Sequence, residues 1–376
     1  MSRLPFTRNE RPTIGVDLEL QLIDETTFAL SNSIERVLER IPESLAEQVK
    51  PELMQSYLEI NTGVCRSVRQ AVADLRSKLD DLEQVTGSLG LKLLWAATHP
   101  FSRWADQQIT VNDRYYRLVE LMQDVARQLV TFGLHVHVGV DTGDKAVMVC
   151  DRMLRHLPLL LALSSNSPFW EGRCTGLHSS RSKVMQDLPT AGLPQQMRNY
   201  SEYVWLVNHL VDTGFINTIR EIWWDIRPHH HFGTVEIRVC DMPPNLNHVA
   251  ALTALVQCLV QAISDQIEEG TYQLEYHPMM VQQNKWRAAR FGADARLVDS
   301  DTFRQLSIRE TTDNLVELLR PQAVQLDCVK ELEFARSLPD CSGTKQQLAI
   351  FEETGDRAEV VRRMIEANDW RKLPEI

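Results

Sequence analysis

Three segments of strict alternation constrain this chain more than any other feature. Thr13 to Asp24, TIGVDLELQLID, sends Ile14, Val16, Leu18, Leu20 and Leu22 one way and Asp17, Glu19 and Gln21 the other. Leu134 to Val140, LHVHVGV, sets four aliphatic residues against His135, His137 and Gly139. Gly233 to Asp241, GTVEIRVCD, opposes Val235, Ile237 and Val239 to Thr234, Glu236, Arg238 and Cys240. A weaker version runs from Ile219 to Arg227, with Ile222, Trp224 and Ile226 opposite Glu221, Trp223, Asp225 and Arg227; Leu91 to Thr98 also reads as a strand. Strands with one apolar and one polar face suit an antiparallel or mixed sheet, because buried parallel strands read as continuous apolar runs.

Helical patterns lie between these strands. Val68, Val72, Leu75, Leu79 and Leu82 recur at three- and four-residue steps, as do apolar positions in 113–132, 144–164 and 245–267. From about 278 the pattern is helical to the end, with a break at Pro321, while 168–200 is rich in Gly, Pro and Ser and reads as a long functional loop. The expected fold class is α+β: a curved, mainly antiparallel sheet, helices packed on its apolar face, chemistry on its polar face. No repeat or linker divides the chain, so residues 1–376 are expected to form a single catalytic domain with a mainly helical C-terminal part.

Composition narrows the partners. Forty basic residues against 51 acidic ones leave a net charge of −11, which repels nucleic acid and anionic lipid. Seven cysteines, an odd number with no C-x-x-C pair, suit free thiols in a reducing cytoplasm. MSRLPFTRNERP lacks the apolar core of a signal peptide, and the greasy run Leu157 to Leu163 is too short to span a bilayer. A cytoplasmic location is expected.

The polar strand faces collect Asp17 with Glu19, His135 with His137, and Glu236 with Arg238. Residues i and i+2 of one strand project from the same face, and two carboxylates so placed repel unless a cation sits between them. Oxygen ligands with one imidazole and no arranged thiolate suit Mg²⁺ or Mn²⁺ better than zinc. A solvated strand face explains any one pair; three pairs together favour a site. PELMQSYLEINTGVC adds Glu52 and Glu59, which strand parity puts on opposite faces, so both reach one site only if the chain bends between them. Glu59 is favoured by the turn Asn61-Thr62-Gly63 beside it. The phosphate loop G-x-x-x-x-G-K-[ST], G-x-G-x-x-G after a strand and the kinase signatures are all absent. ATP, if used, is then held through metal and carboxylate, with Arg238, Arg227 or Arg181 as complementary cation.

The blocks TIGVDLELQLID, PELMQSYLEINTGVC, GLHVHVGV, LPLLLALSSNSPFWEGRCTGLHSSRS, IWWDIRP, GTVEIRVCD and NKWRAARFG, in this order, closely resemble the bacterial glutamate–cysteine ligase family 2, the carboxylate–amine ligases. The resemblance implies a glutamine-synthetase-like catalytic fold, and ATP-dependent joining of a carboxylate to an amine through an acyl phosphate. It further implies ATP and Mg²⁺ or Mn²⁺ as cofactors, a small carboxylate and amine (glutamate and cysteine among the candidates) as partners, and a homodimer. By position it places Asp17 and Glu19 on the opening metal ligands, Glu52 and Glu59 on two further acidic positions, and His135 on the metal-binding His. Glu236 falls on a late acidic ligand and Arg238 on the Arg facing the transferring phosphate. Two departures stand out: Asp17 replaces the usual Glu, and Leu18 stands where many members carry another acid.

Candidate substrate contacts are Arg181, Trp223, Arg227 and His137. Trp286, Arg287 and Arg290 share a helix face that caps a site or simply packs, and the His229-His230-His231 loop reads as solvated. A metal-dependent hydrolase built on the HVH motif and a catalytically silent nucleotide-binding relative are the alternatives. The first would want a parallel βα barrel. If Asp17 is a ligand, Asp17→Asn should severely weaken metal-dependent turnover while Asp17→Glu, restoring the usual length, is tolerated. Wild-type activity in Asp17→Asn, measured across a metal titration, would return the residue to a solvated strand face.

Overall fold

The fold is taken from a computed structural model that describes residues 4–271, 277–299 and 301–373. Alternation in the first segment is realised as β1 (Ile14–Asp24), the hub of the main sheet. The other strands are β2 (Val49–Pro51), β3 (Tyr57–Asn61), β4 (Leu91–Leu94), β5 (Leu134–Gly139), β6 (Ile226–His229) and β7 (Thr234–Ile237). Their order is β6-β7-β5-β1-β3-β2, with β4 also on β1, and every pairing is antiparallel. Gln21 pairs with Tyr57 on one side and Leu94 on the other, so β4 continues the edge of β1 that β5 leaves at Leu18. A parallel βα barrel, and with it the hydrolase alternative, is not this architecture.

The helices are α1 (Val68–Ser88), α2 (Asp113–Met122), α3 (Gly143–Met153), α4 (Leu157–Ser164), α5 (Arg181–Gln186), α6 (Tyr200–Asp212), α7 (Leu246–Glu268), α8 (Pro278–Phe291) and α9 (Ile308–Gln325), with two more at Gly343–Thr354 and Arg357–Ala367. Side-chain caps at Ser67, Asn112, Thr142, Asn199 and Asn245 start α1, α2, α3, α6 and α7 by accepting from first-turn amides. α7 lies under the sheet against β5 and is surrounded by α1, α3, α4 and α9. Its most apolar window has a mean hydropathy of 1.5 and is 89% buried in the fold. Among the described residues it alone has the length and apolarity of a membrane span, but it serves as the core helix. The apolar rows Ile14, Val16, Leu18, Leu20 and Leu22, Leu134, Val136 and Val138, and Val235 and Ile237 are all buried in one core. Each such side chain contributes roughly 1.5–3 kcal/mol of burial.

The chain departs from its periodicity in several places. Ile219 to Arg227 is not one strand: Thr218 caps a 3-10 turn at Ile219–Glu221, Trp223–Trp224 pairs with Ala191–Gly192, and the chain bends at Asp225 before β6. Consequently Trp223 packs on the main core, while Trp224 packs on a small cluster around Tyr203 beneath α6. Gln21, expected on the polar face, is fully buried, and its amide donates to the Ala96 carbonyl at 2.7 Å. The predicted helix 113–132 stops at Gln123, where φ is 50°, and 144–164 is two helices, α3 and α4. Residues 168–200 contain α5 and short paired strands rather than only loop. A hairpin, Arg296–Val298 with Gln305–Ser307, interrupts the helical C-terminal part. Pro321 does not break α9; it lies on the exposed face of the helix.

An N-terminal strap closes the β6–β7 hairpin. Thr7 donates through its amide to His230 O at 2.9 Å and through its hydroxyl to His231 O at 2.7 Å. The Asn9 amide group reaches Phe232 O and Gly233 O at 2.8 and 2.7 Å. Gly233 has φ +65°, and a Cβ there would lie 1.9 Å from Thr7 O. Left-handed strain and the clash act together. Gly233→Ala is therefore expected to lower unfolding stability by about 2–4 kcal/mol, read as a lower urea midpoint; an unchanged midpoint would show that the strap yields freely.

Candidate active site

Register brings the polar residues together. Asp17 faces His135 across β1–β5 and Glu19 faces Glu59 across β1–β3, while Glu236 faces His137 across β5–β7 and Arg227 across β6–β7. Donor atoms of Asp17, Glu59 and His135 lie within 4.8 Å of one another. Glu52 joins them because the chain does bend: β2 and β3 form a hairpin that folds Glu52 back towards Glu19 and Glu59. The result is a basin holding five carboxylates, two imidazoles and several arginines.

Electrostatics sort these groups. Burial, then the neighbouring Glu19 charge, pushes Glu52 up to about 7. Burial and Asp17 raise Glu59 well above the carboxylate range, and burial raises Glu19 against the opposing pull of Arg181 and Arg238. Glu236 is the contrast. Burial opposes its ionisation, but Arg227 and Arg238 outweigh that and hold it well below the usual range. Arg227 Nε donates to Glu236 Oε2 at 2.6 Å, and Arg238 donates to Glu236 Oε1. His137 Nδ1 lies 2.9 Å from the Thr234 hydroxyl, and Nε2 lies 3.3 Å from Asp17 Oδ2 and 3.9 Å from Glu236 Oε1. Burial works against its cationic form, but Glu236 and Asp17 prevail and raise it. Burial, then Arg238, holds His135 well below the usual imidazole range, and its buried Nε2 has no hydrogen-bond partner.

That orphaned nitrogen, beside carboxylates that repel one another, is a donor set fitted to a divalent cation. The remaining candidates are placed as follows. Arg181 starts α5 and is 5% exposed; its guanidinium donates to Arg238 O at 3.2 Å and Val239 O at 3.4 Å, leaving Nε unpartnered. It lies across Gly133, where a Cβ would sit 2.2 Å from Nη2. Trp223 is half-buried and packs on the main core. Trp286 lies under the Lys183 ammonium, and Arg287 and Arg290 bond the carbonyls of Arg296 and Gly176. His229 stacks on Phe232, with ring centroids 4.3 Å apart, and meets His137 edge-on. Cys65 and Cys240 are buried, and burial raises both thiols.

Sequence reasoning missed two supports. Asp241, fully buried, accepts from Asn166 N, Ser167 Oγ and Ser179 Oγ at 3.0, 2.7 and 2.8 Å, tying the segment before Arg181 to the end of the third alternating stretch. At the opposite wall Thr110 donates to Glu52 O at 2.6 Å and Tyr115 to Pro51 O at 3.2 Å, which brings Arg114 beside Glu52. Asn112 before Asp113-Arg114 was a readable helix start, but no spacing linked it to Glu52.

An antiparallel sheet with an acidic, arginine-lined polar face is not the parallel barrel that the hydrolase alternative required. The model of the glutamate–cysteine ligase family 2 matches residues 13–367, and the chain belongs to that family. A Frankia alni protein named "Putative glutamate--cysteine ligase 2-1" is 41% identical over 370 residues, 97% of each chain. A Gloeobacter violaceus protein named "Putative glutamate--cysteine ligase 2" is 41% identical over 362 residues, 95% of this chain and 97% of that one. In fold the chain is similar to a glutamate–cysteine ligase from Francisella tularensis in complex with AMP, with a TM-score of 0.71 at 14% identity, covering 98% of this chain and 90% of that one. It is an enzyme, an ATP-dependent carboxylate–amine ligase of the glutamate–cysteine ligase type.

With EDTA present, Glu52 keeps its proton to about pH 7, whereas an unfolded carboxyl loses it near 4.5. A raised folded value makes its contribution fully present below about 4.5 and lost as pH rises through about 7. Glu52→Gln removes that loss. The melting temperature of Glu52→Gln relative to wild type should therefore rise between pH 5.5 and 8; a pH-independent difference would contradict the assignment.

Proposed function

We propose that the basin catalyses amide-bond formation through an acyl phosphate, with glutamate and cysteine as candidate substrates. A carboxylate oxygen forms a bond to the γ-phosphorus of ATP as the bond to ADP breaks. The amine nitrogen then attacks the acyl carbon, phosphate leaves, and the nitrogen loses a proton. The observation that carries this reading is the convergence of Asp17, Glu59 and the partnerless His135 beside an arginine pair fixed by Glu236.

Asp17, Glu19, Glu52, Glu59, His135 and Glu236 would hold Mg²⁺ or Mn²⁺, which would neutralise phosphate charge when bound. Arg238 stabilises the transferring phosphoryl group, and Arg227 fixes Glu236 and thereby the aim of Arg238. His137 and Arg181 flank the substrates. Residues 1–376 act as one catalytic unit, paired as a homodimer by analogy with the family. Seven free cysteines, two of them with sulfurs 3.6 Å apart and unbonded, suit a reducing cytoplasm.

ADP release should require both substrates, vanish in EDTA and return with Mg²⁺ or Mn²⁺. Arg238→Ala should lower kcat roughly 10²–10³-fold, as for loss of one preorganised donor, and Arg238→Lys should rescue only part because the planar fork is gone. Ligation by metal-stripped protein, or near-normal turnover in a folded Arg238→Ala, would defeat the mechanism.

A further inference from the structure

A second cavity, of about 390 Å³, lies between α5 and α8, lined by Lys183, Gln186, Gln282, Gln283, Lys285 and Trp286 among others. Both walls are fastened to the backbone of Arg238. α5 begins with Arg181, which donates to Arg238 O. α8 supplies Lys285, whose ammonium bonds Asp225 Oδ2 at 2.6 Å, and the Asp225 carbonyl accepts the Arg238 amide at 2.8 Å. The two walls thus share an anchor at the backbone of the residue assigned to the transferring phosphate.

Its charge is unbalanced. Lys285 is 5% exposed and neutralised by Asp225. Lys183 instead donates to Gln186 Oε1 at 2.7 Å and sits 4.7 Å from the Trp286 ring centroid. Among the described residues it has no ion-pair partner; Asp187, one turn on, is exposed and only weakly offsets it. Burial and the adjacent Lys285 both penalise its charge, and an anion in the cavity would relieve that penalty. The glutamine amides can meet both ends of a zwitterion. A purine fits less well here, because the face of Trp286 is covered by Lys183.

We infer that this cavity seats the non-reacting carboxylate of an amino-acid substrate, with Lys183 as its counter-ion. The inference rests on the ligase reading, which puts the reacting carboxylate at Arg238. The same carboxylate chemistry is carried by the amino acid that is activated and by the one that supplies the amine.

Four probes separate those sources: L-glutamate and its α-carboxamide isoglutamine, and L-cysteine and L-cysteinamide, each titrated against wild type, Lys183→Ala and Lys183→Arg. For one amino acid, Lys183→Ala should raise KM at least about tenfold, as expected for one charged hydrogen bond, with the loss in KM rather than kcat. The matching carboxamide should bind wild type as poorly as it binds the variant, and Lys183→Arg should keep most of the affinity. The responding pair identifies the substrate. Calorimetric titration of both amino acids into the same proteins needs no turnover, so it tests the cavity even if ligation of this pair fails and the proposed reaction is wrong. Binding of neither amino acid to wild type, or equal affinity in Lys183→Ala, overturns the inference.

Discussion

Glu236 held between Arg227 and Arg238 is the interaction on which the basin depends. Asp17, Glu19, Glu52 and Glu59 lie close together on the same sheet face, and bringing them out of water works against folding. Arginines from neighbouring strands and from α5 offset this. Glu236 fixes Arg227 and Arg238, and the Arg238 and Val239 carbonyls hold Arg181, since a guanidinium left unpaired in such a place would itself be costly. Two arginines flank Glu236 and hold it well below the usual carboxylate range, whereas burial, then neighbouring carboxylates, make Glu52 and Glu59 resist ionisation. Opposite shifts within one small volume are the arrangement expected of a site that exchanges charge with its ligands.

The rest of the molecule keeps that arrangement rigid. The strands bearing the basin turn their alternate side chains into the layer headed by α7, so moving one polar residue displaces an aliphatic neighbour from a close-packed core. Buried Asp241 extends the same rigidity to the segment that delivers Arg181, and Thr110 and Tyr115 extend it to the far wall. The basin is thus clamped from both ends of the sheet.

Much of this was legible in the chain. Period-two alternation revealed β1, β5 and β7 with the correct inward and outward faces, which placed Asp17, Glu19, His135, His137, Glu236 and Arg238 together in principle. Glu52 was harder, because parity alone set it against Glu59, and only the hairpin between them resolved the conflict. Alternation failed at Gln21, whose side chain is buried against the Ala96 carbonyl, and at Trp223, where the bend at Asp225 resets the phase. Arg114 and the Lys183–Lys285 cavity were invisible for a different reason: both are made by contacts between segments far apart in the chain, whose local patterns say only helix.

Sheet order has a kinetic consequence. β1, which precedes the other strands of this sheet in the chain, occupies its middle, and its flanking partner β5 emerges more than a hundred residues later. The strap that closes the β6–β7 hairpin joins residues 224 positions apart. Contacts so distant in the chain close large loops before they are rewarded, which slows folding. During translation, β3 can pair one edge of β1 early, but the edge that takes β5 must wait unpaired until the middle of the chain has left the ribosome. Asp17 and Glu19 then have a second use. On a waiting strand they are like charges at alternate positions, and they discourage β1 from pairing with the β1 of a neighbouring nascent chain.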